Sequence, residues 1–284
     1  MTQRGLVSPT GKDILLRPIR PNAGLEARYQ RELDKWVGAM HKSLVYWITA
    51  QFRANPPPLL AQDAARGSVR DGSSARAMRT VIDRLSKKWA KEFAKCADRL
   101  AKHFVERSLE NTDLQLRDAL SKAGFTVQFK ATPAVNNAMQ ASVGENVGLI
   151  KSIARQHLSE VEGLVMRAML QGRNLKTLTD ELETRYSVTR RRASFIARDQ
   201  ANKMTSVINR TRQQELGITQ ARWRHSHAGK HPRESHVEAS REDGGKGKLY
   251  DVAKGCLIDG EYIWPGQLPN CRCTGQAVIP GRQD

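Results

Sequence analysis

The chain has 284 residues, 39% of them apolar, and its 47 Lys+Arg against 29 Asp+Glu leave a formal charge of +18. That length suits one large domain or two smaller ones, and a cationic surplus spread along the sequence implies anionic surroundings, nucleic acid first among them. Four cysteines in a chain of this size exclude a disulfide scaffold. No stretch approaches the ~20 apolar residues of a bilayer span, and residues 1–20 lack the long apolar core of a signal peptide. The expectation is a protein made in a reducing cytoplasm, with no membrane association.

Residues 1–21 carry Gly5, Pro9, Gly11, Pro18 and Pro21 and read as an irregular arm with few internal contacts. Asn22 suits a helix N-cap, and a helix to Phe52 places Leu25, Tyr29, Leu33, Trp36, Met40, Leu44 and Trp47 on one face. Asn55-Pro56-Pro57-Pro58 stops it, because proline lacks the backbone donor and clashes with the preceding turn. A linker over 59–74 ends in Asp71-Gly72-Ser73-Ser74, a helix start. The next stripe is Met78, Val81, Ile82, Leu85, Trp89, Phe93, Cys96, Leu100 and Phe104. Cys96 lies inside that stripe and reads as core; His41 and His103 read as ordinary helix residues.

Gly124-Phe125-Thr126-Val127-Gln128-Phe129 alternates with the period of a strand, and would need a partner from the C-terminal region. Polar and small residues over 133–144 precede a helix from about Gly144 to Gln171, closed by Gly172. A short helix over 174–186 follows. Val188-Thr189 then lead into a further helix with the apolar face Ala193, Ile196, Ala197, Ala201, Met204, Ile208 and Thr211. Arg190, Arg191, Arg192, Arg198, Lys203, Arg210 and Arg212 surround that face, as candidate contacts to DNA phosphates or to acidic groups. A solvated face with local ion pairs is the plainer alternative. Gly217 suits the left-handed position after a helix end.

Composition changes near Arg222: beyond it lie three of the four cysteines and four of the seven histidines. The organisation expected is an arm over 1–21, a helical region over 22–130, a helical middle over 131–221 and a small His/Cys-containing α+β module over 222–284. The fold class is mainly α with an elongated helical scaffold. Thiolate and imidazole ligands hold zinc tetrahedrally and stiffen loop-rich modules. Candidate ligands are His236, Cys271 and Cys273, with Cys256 or His231 as the fourth. The competing reading has His236 bonding a turn and the cysteines packing in a small core. Glu261-Tyr262-Ile263-Trp264 can pair as a strand with Leu249-Tyr250-Asp251-Val252, and Pro265-Gly266 makes a turn. His225, His227, His231, His236 and Asn270 admit a His-metal nuclease, but the neighbouring acids have no recognisable spacing. The Gly244-Gly245-Lys246-Gly247-Lys248 run is a basic turn and not a phosphate loop.

Arg192-Ala193, Ile196-Ala197-Arg198-Asp199-Gln200, Lys203, Glu215-Leu216-Gly217-Ile218 and Trp223 occur in a telling order. So do Pro232 to Val237, Gly255 to Ile263, Pro265-Gly266 and Asn270-Cys271-Arg272-Cys273. Together, over about residues 145–280, they resemble the phage head morphogenesis family of Mu F-like minor head proteins. The resemblance aligns Cys271 and Cys273 with a closing Cys-x-Cys, and His236 with a position often His or Cys. It implies a structural, non-enzymatic component of a tailed-phage virion, inside the capsid near the portal. Its partners would be the portal protein or major capsid protein and, without sequence preference, double-stranded DNA. A virion-carried metal-dependent nuclease or effector, and a plain nucleic-acid-binding protein, stand as alternatives.

Overall fold

The structure, a computed structural model, describes residues 6–9, 11–57, 73–171, 174–228 and 231–281. Most of the linker expected over 59–74, and Gly172, lie outside these residues. Four long helices, α1 (Ala23–Ala54), α2 (Ser73–Lys122), α3 (Pro133–Leu170) and α4 (Leu175–Glu215), carry most of the chain. It divides into two compact units: a helical unit of Tyr29–Ala101 and Glu145–Ile196, and a mixed unit of Met1–Arg28, Lys102–Gly144 and Ala197–Asp284. Each long helix contributes a segment to both. No helix among the described residues is long and apolar enough to cross a membrane.

Asn22 caps α1 as expected, accepting the Leu25 N–H on its side chain at 3.0 Å. The buried stripe of α1 is Tyr29, Leu33, Val37, Met40, Leu44, Ile48 and Phe52. It is rotated slightly from the expected face: compact Val37 and Ile48 take the core, Trp36 is half-buried, and Trp47 is 43% exposed. The Trp47 ring instead lies 5.5 Å from the Arg84 guanidinium carbon. Every stripe residue expected in the second helix is buried in α2, Cys96 included.

Two helix boundaries differ from expectation. α3 starts at Pro133, eleven residues before Gly144, because Thr132 caps Val135 N–H at 3.2 Å and proline is pre-set for the first helical position. The short helix and the basic helix are one continuous α4. No proline or glycine interrupts 175–215, and Thr189 stays helical by bonding back to the Arg185 carbonyl at 3.1 Å.

In the helical unit, the polar interior centres on histidines. His41 Nε2 sits 2.8 Å from Glu183 Oε1 and the ring stacks on Tyr186 at 4.2 Å. His157 Nδ1 meets Thr189 Oγ1 at 2.8 Å. Burial lowers the His157 pKa to about 4.

In the mixed unit, β1 (Ile14–Leu15), β2 (Gln220–Arg224), β3 (Leu249–Asp251) and β6 (Thr274–Ile279) form one antiparallel sheet in the order β1-β6-β2-β3. β1 comes from the stretch read as an arm with few contacts; Leu16 and Ile19 beside it are buried. A separate hairpin pairs β4 (Cys256–Ile258) with β5 (Glu261–Ile263). The expected pairing of 261–264 with 249–252 is therefore replaced by two others, β5 with β4 and β3 with β2. The cause is Asp259-Gly260, both at positive φ (54° and 80°), which close a two-residue hairpin whose twist matches its strands. No strand forms over 124–129. The alternation there is nonetheless physical: Phe125, Val127 and Phe129 pack on the core of Leu16, Leu116, Leu120, Ile218 and Ile279. That segment simply lacks a ladder partner. The last helix, α5 (Glu234–Arg241), lies between β2 and β3 in sequence. The mainly α architecture with a small mixed module is as the sequence indicated.

Candidate metal centre

Three chain segments bring His236, Cys271 and Cys273 together. His236 is the third residue of α5, and its buried ring meets the fully buried Trp223 of β2 edge-on at 4.9 Å. Cys271 and Cys273 sit in the loop entering β6. α4 grips that loop by discrete polar contacts. Asp199, itself buried and paired with Lys203 at 3.2 Å, accepts the Asn270 N–H at 2.7 Å. This holds Asn270 at φ 59°, the left-handed region that Asn tolerates. The Ser206 hydroxyl donates to the Pro265 carbonyl. Gly266 at φ 81° passes so close to α4 that an added Cβ would stand 3.2 Å from Ser206 Cβ and 3.3 Å from the Asn202 carbonyl oxygen. Its N–H in turn points at Cys271 Sγ, 3.4 Å away.

His236 Nδ1 is 3.5 Å from Cys271 Sγ and 3.7 Å from Cys273 Sγ, with all three donor atoms within 4.8 Å. Zinc with Zn–N of about 2.05 Å and Zn–S of about 2.3 Å has tetrahedral N···S edges of about 3.6 Å. Both N···S separations match edges of such a site. Hydrogen bonding from the Cys273 thiol, then from His236 and backbone N–H groups, lowers the Cys271 pKa against the opposing effect of burial. Cys273 is pushed up, first by its hydrogen bond to Cys271 and then by burial. Metal binding would take both cysteines as thiolates and release thiol protons.

The other two candidates are not in the trio. Cys256 is buried in the apolar cluster with Trp223, Tyr250 and Ile263, where burial raises its pKa to about 11. His231 is exposed and lines a cleft of about 570 Å³ that the trio also lines. His225 lines it too, with its Nδ1 3.4 Å from that of His227.

The seven basic residues of α4 do not share one face. Arg190 pairs with Asp34 at 3.4 Å, Arg192 donates to Ser152 at 3.0 Å, and Arg191 is exposed. Those three belong to the helical unit and the other four to the mixed unit. Arg210 stacks over Trp264 at 4.0 Å. Arg212 is 2% exposed and makes a two-pronged pair with Asp113 at 2.8 and 2.9 Å, besides bonds to Glu215 and the Lys130 carbonyl. Its donors serve the chain's own acids. Arg198 alone of the seven lines the cleft beside the trio.

Residues 159–276 match the family model described as Phage Mu protein F like protein. Over these residues the chain is similar to the Mu F-like family. The matched Mu F-like segment takes in α4, α5, the metal-capable trio and β2 to β5, and reaches into β6. An uncharacterized protein of Haemophilus influenzae is similar as well, at 26% identity over 270 residues. That alignment covers 94% of this chain and 56% of the relative, so the chain spans little more than half the relative's length. No solved structure matches.

Residue types alone pointed to His236, Cys271 and Cys273. They gave no role to Asp199, Ser206 or Gly266, which fix the cysteine loop. Asp199 was visible only as part of the Arg198-Asp199-Gln200 motif.

Proposed function

We propose that this Mu F-like chain is a minor head protein of a tailed bacteriophage, carried in the virion inside the capsid and bound to the portal or the inner capsid wall. The observation that carries this is the match over residues 159–276 to a phage head morphogenesis family. In this reading the role is structural and not catalytic. The +18 charge supports a place beside packaged double-stranded DNA, held by phosphate contacts without sequence preference. Zinc, held by His236 Nδ1, Cys271 and Cys273, clips α5 to the loop before β6, and the N···S distances support that assignment. The chain's own fixings at Asp199 and Ser206 would hold the two sulfurs in place for it.

The test is co-expression with the portal protein of the same phage, followed by purification through a tag on the portal. A stoichiometric complex is expected. Portal that purifies without this chain, in a head-assembly lysate that contains both, would overturn the portal assignment. Elemental analysis of the purified chain should find about one zinc per molecule.

A further inference from the structure

Among the described residues, the cleft of about 570 Å³ beside the trio is lined by Arg198, Arg233, Arg272, His225, His231 and His236, with no aspartate or glutamate. A second cleft of about 800 Å³ shares Arg198, His225 and Arg272 with it and adds Arg20 and Arg224 against a single acid, Glu26. Cationic linings usually carry their own counter-charges; this one does not. Arg198 Nε is buried without a hydrogen-bond partner. Arg233 and Arg272 each spend one contact on a backbone carbonyl, Pro269 and Ala228 respectively. A guanidinium has five N–H donors, so among the described residues most of theirs stay open.

We infer that these adjoining clefts bind the phosphodiester backbone of double-stranded nucleic acid. Five arginines distributed over two clefts suit a ligand of repeated negative charge, since a single anion would call for convergence on one point. Among the described residues neither lining contains Phe, Tyr or Trp, so the broad rings that best stack unpaired bases are missing there and the guanidinium groups favour the phosphate backbone. The site is distinct from the α4 ladder, of which it uses only Arg198. It deepens the proposed contact with packaged DNA by locating it, and rests on that reading.

Fluorescence anisotropy of the full chain with a labelled duplex of roughly 20 base pairs, over a salt series, tests this. The cleft triple R198Q/R233Q/R272Q is compared with K87Q/K88Q/K91Q, an equal charge change on exposed positions of α2. The cleft triple should weaken binding at least tenfold. It should also flatten the slope of log K against log salt by about 2.7, or about 0.9 per lost phosphate contact. The α2 triple should change affinity less than twofold. Equal loss in both triples would overturn the cleft assignment, as would an unchanged slope. Should the triple misfold by circular dichroism, Arg198→Gln alone serves, because the Nε it removes bonds nothing. A single strand of the same length binding tenfold tighter than duplex would overturn the duplex assignment. So would millimolar inorganic phosphate occupying the clefts of a chain that ignores duplex. A wild-type chain that binds no duplex removes the DNA reading and the cleft together. One that binds duplex no better than the cleft triple removes only the cleft.

Discussion

The two units are built by opposite means. In the helical unit, long stripes at three- and four-residue spacing bury Leu33, Val37, Ile82, Phe93, Ile150 and Ile153, and stability is distributed over many apolar contacts. In the mixed unit the strands are three to six residues long apart from β1, with two. Beside two apolar clusters, order there also depends on single fixings: Asp199 on Asn270, Arg212 on Asp113, glycine at 266, and a His/Cys/Cys trio. A distributed interior loses stability by degrees. A pinned one loses it at points.

The sharpest break is at the trio. Cys271→Ser should abolish zinc and lower the melting temperature of the mixed unit by roughly 10 °C, and chelation should do the same to the unsubstituted chain. Leu33→Ala should cost about 2–5 kcal/mol in the helical unit and leave zinc content unchanged. Calorimetry with parallel metal analysis separates the two, and zinc retained in the serine variant would refute the centre.

Arg212→Met comes next, at about 3 kcal/mol, because it strands Asp113 and Glu215 beside an apolar side chain. Urea unfolding measures it, and a loss under 1 kcal/mol would mean that the pair is solvated.

The helical unit has its own weak point in pH. His157 titrates at about 4 when folded against 6.5 unfolded. Its neutral form is the one the fold accepts, so its contribution is complete above pH 6.5 and is lost as pH falls toward 4, by on the order of 3 kcal/mol in all. His157→Gln should flatten the melting curve across that window; an unchanged pH profile would assign the acid sensitivity elsewhere.

The smallest effects sharpen the comparison within one residue type. Gly266→Ala combines a left-handed backbone with contact against α4 and should cost about 2 kcal/mol. Gly260→Ala has open space and only the backbone penalty, about 1 kcal/mol. Equal losses at the two would show that the approach to α4 is slack.

This contrast also explains what the sequence disclosed. Period and caps sufficed for α1 and α2, since Asn22 and the apolar stripes act locally. α3 was misread at its start because the Thr132-Pro133 signal is shorter than the polar run that follows it. The sheet was harder. Nothing local to Ile14-Leu15 announces a partner at Val278 and Ile279, and the Asp259-Gly260 turn, which was legible, decides the pairing only once recognised as a hairpin. The metal-capable trio could be read from residue types because few others serve. The basic helix could not, because a row of arginines says nothing about which carboxylates will claim them; Arg212 went to Asp113, while Arg198 meets no acid among the described residues.

The pairing of β1 with β6 has a consequence for synthesis. Ile279 follows Ile14 by 265 residues, so at ~5–20 residues per second β1 waits some tens of seconds for its neighbour. α1 and α2 can be complete by then, whereas the sheet closes only once β6 is out. A stalled or shortened product therefore carries finished helices and an open β2 edge, the state most apt to pair with a second unfinished copy.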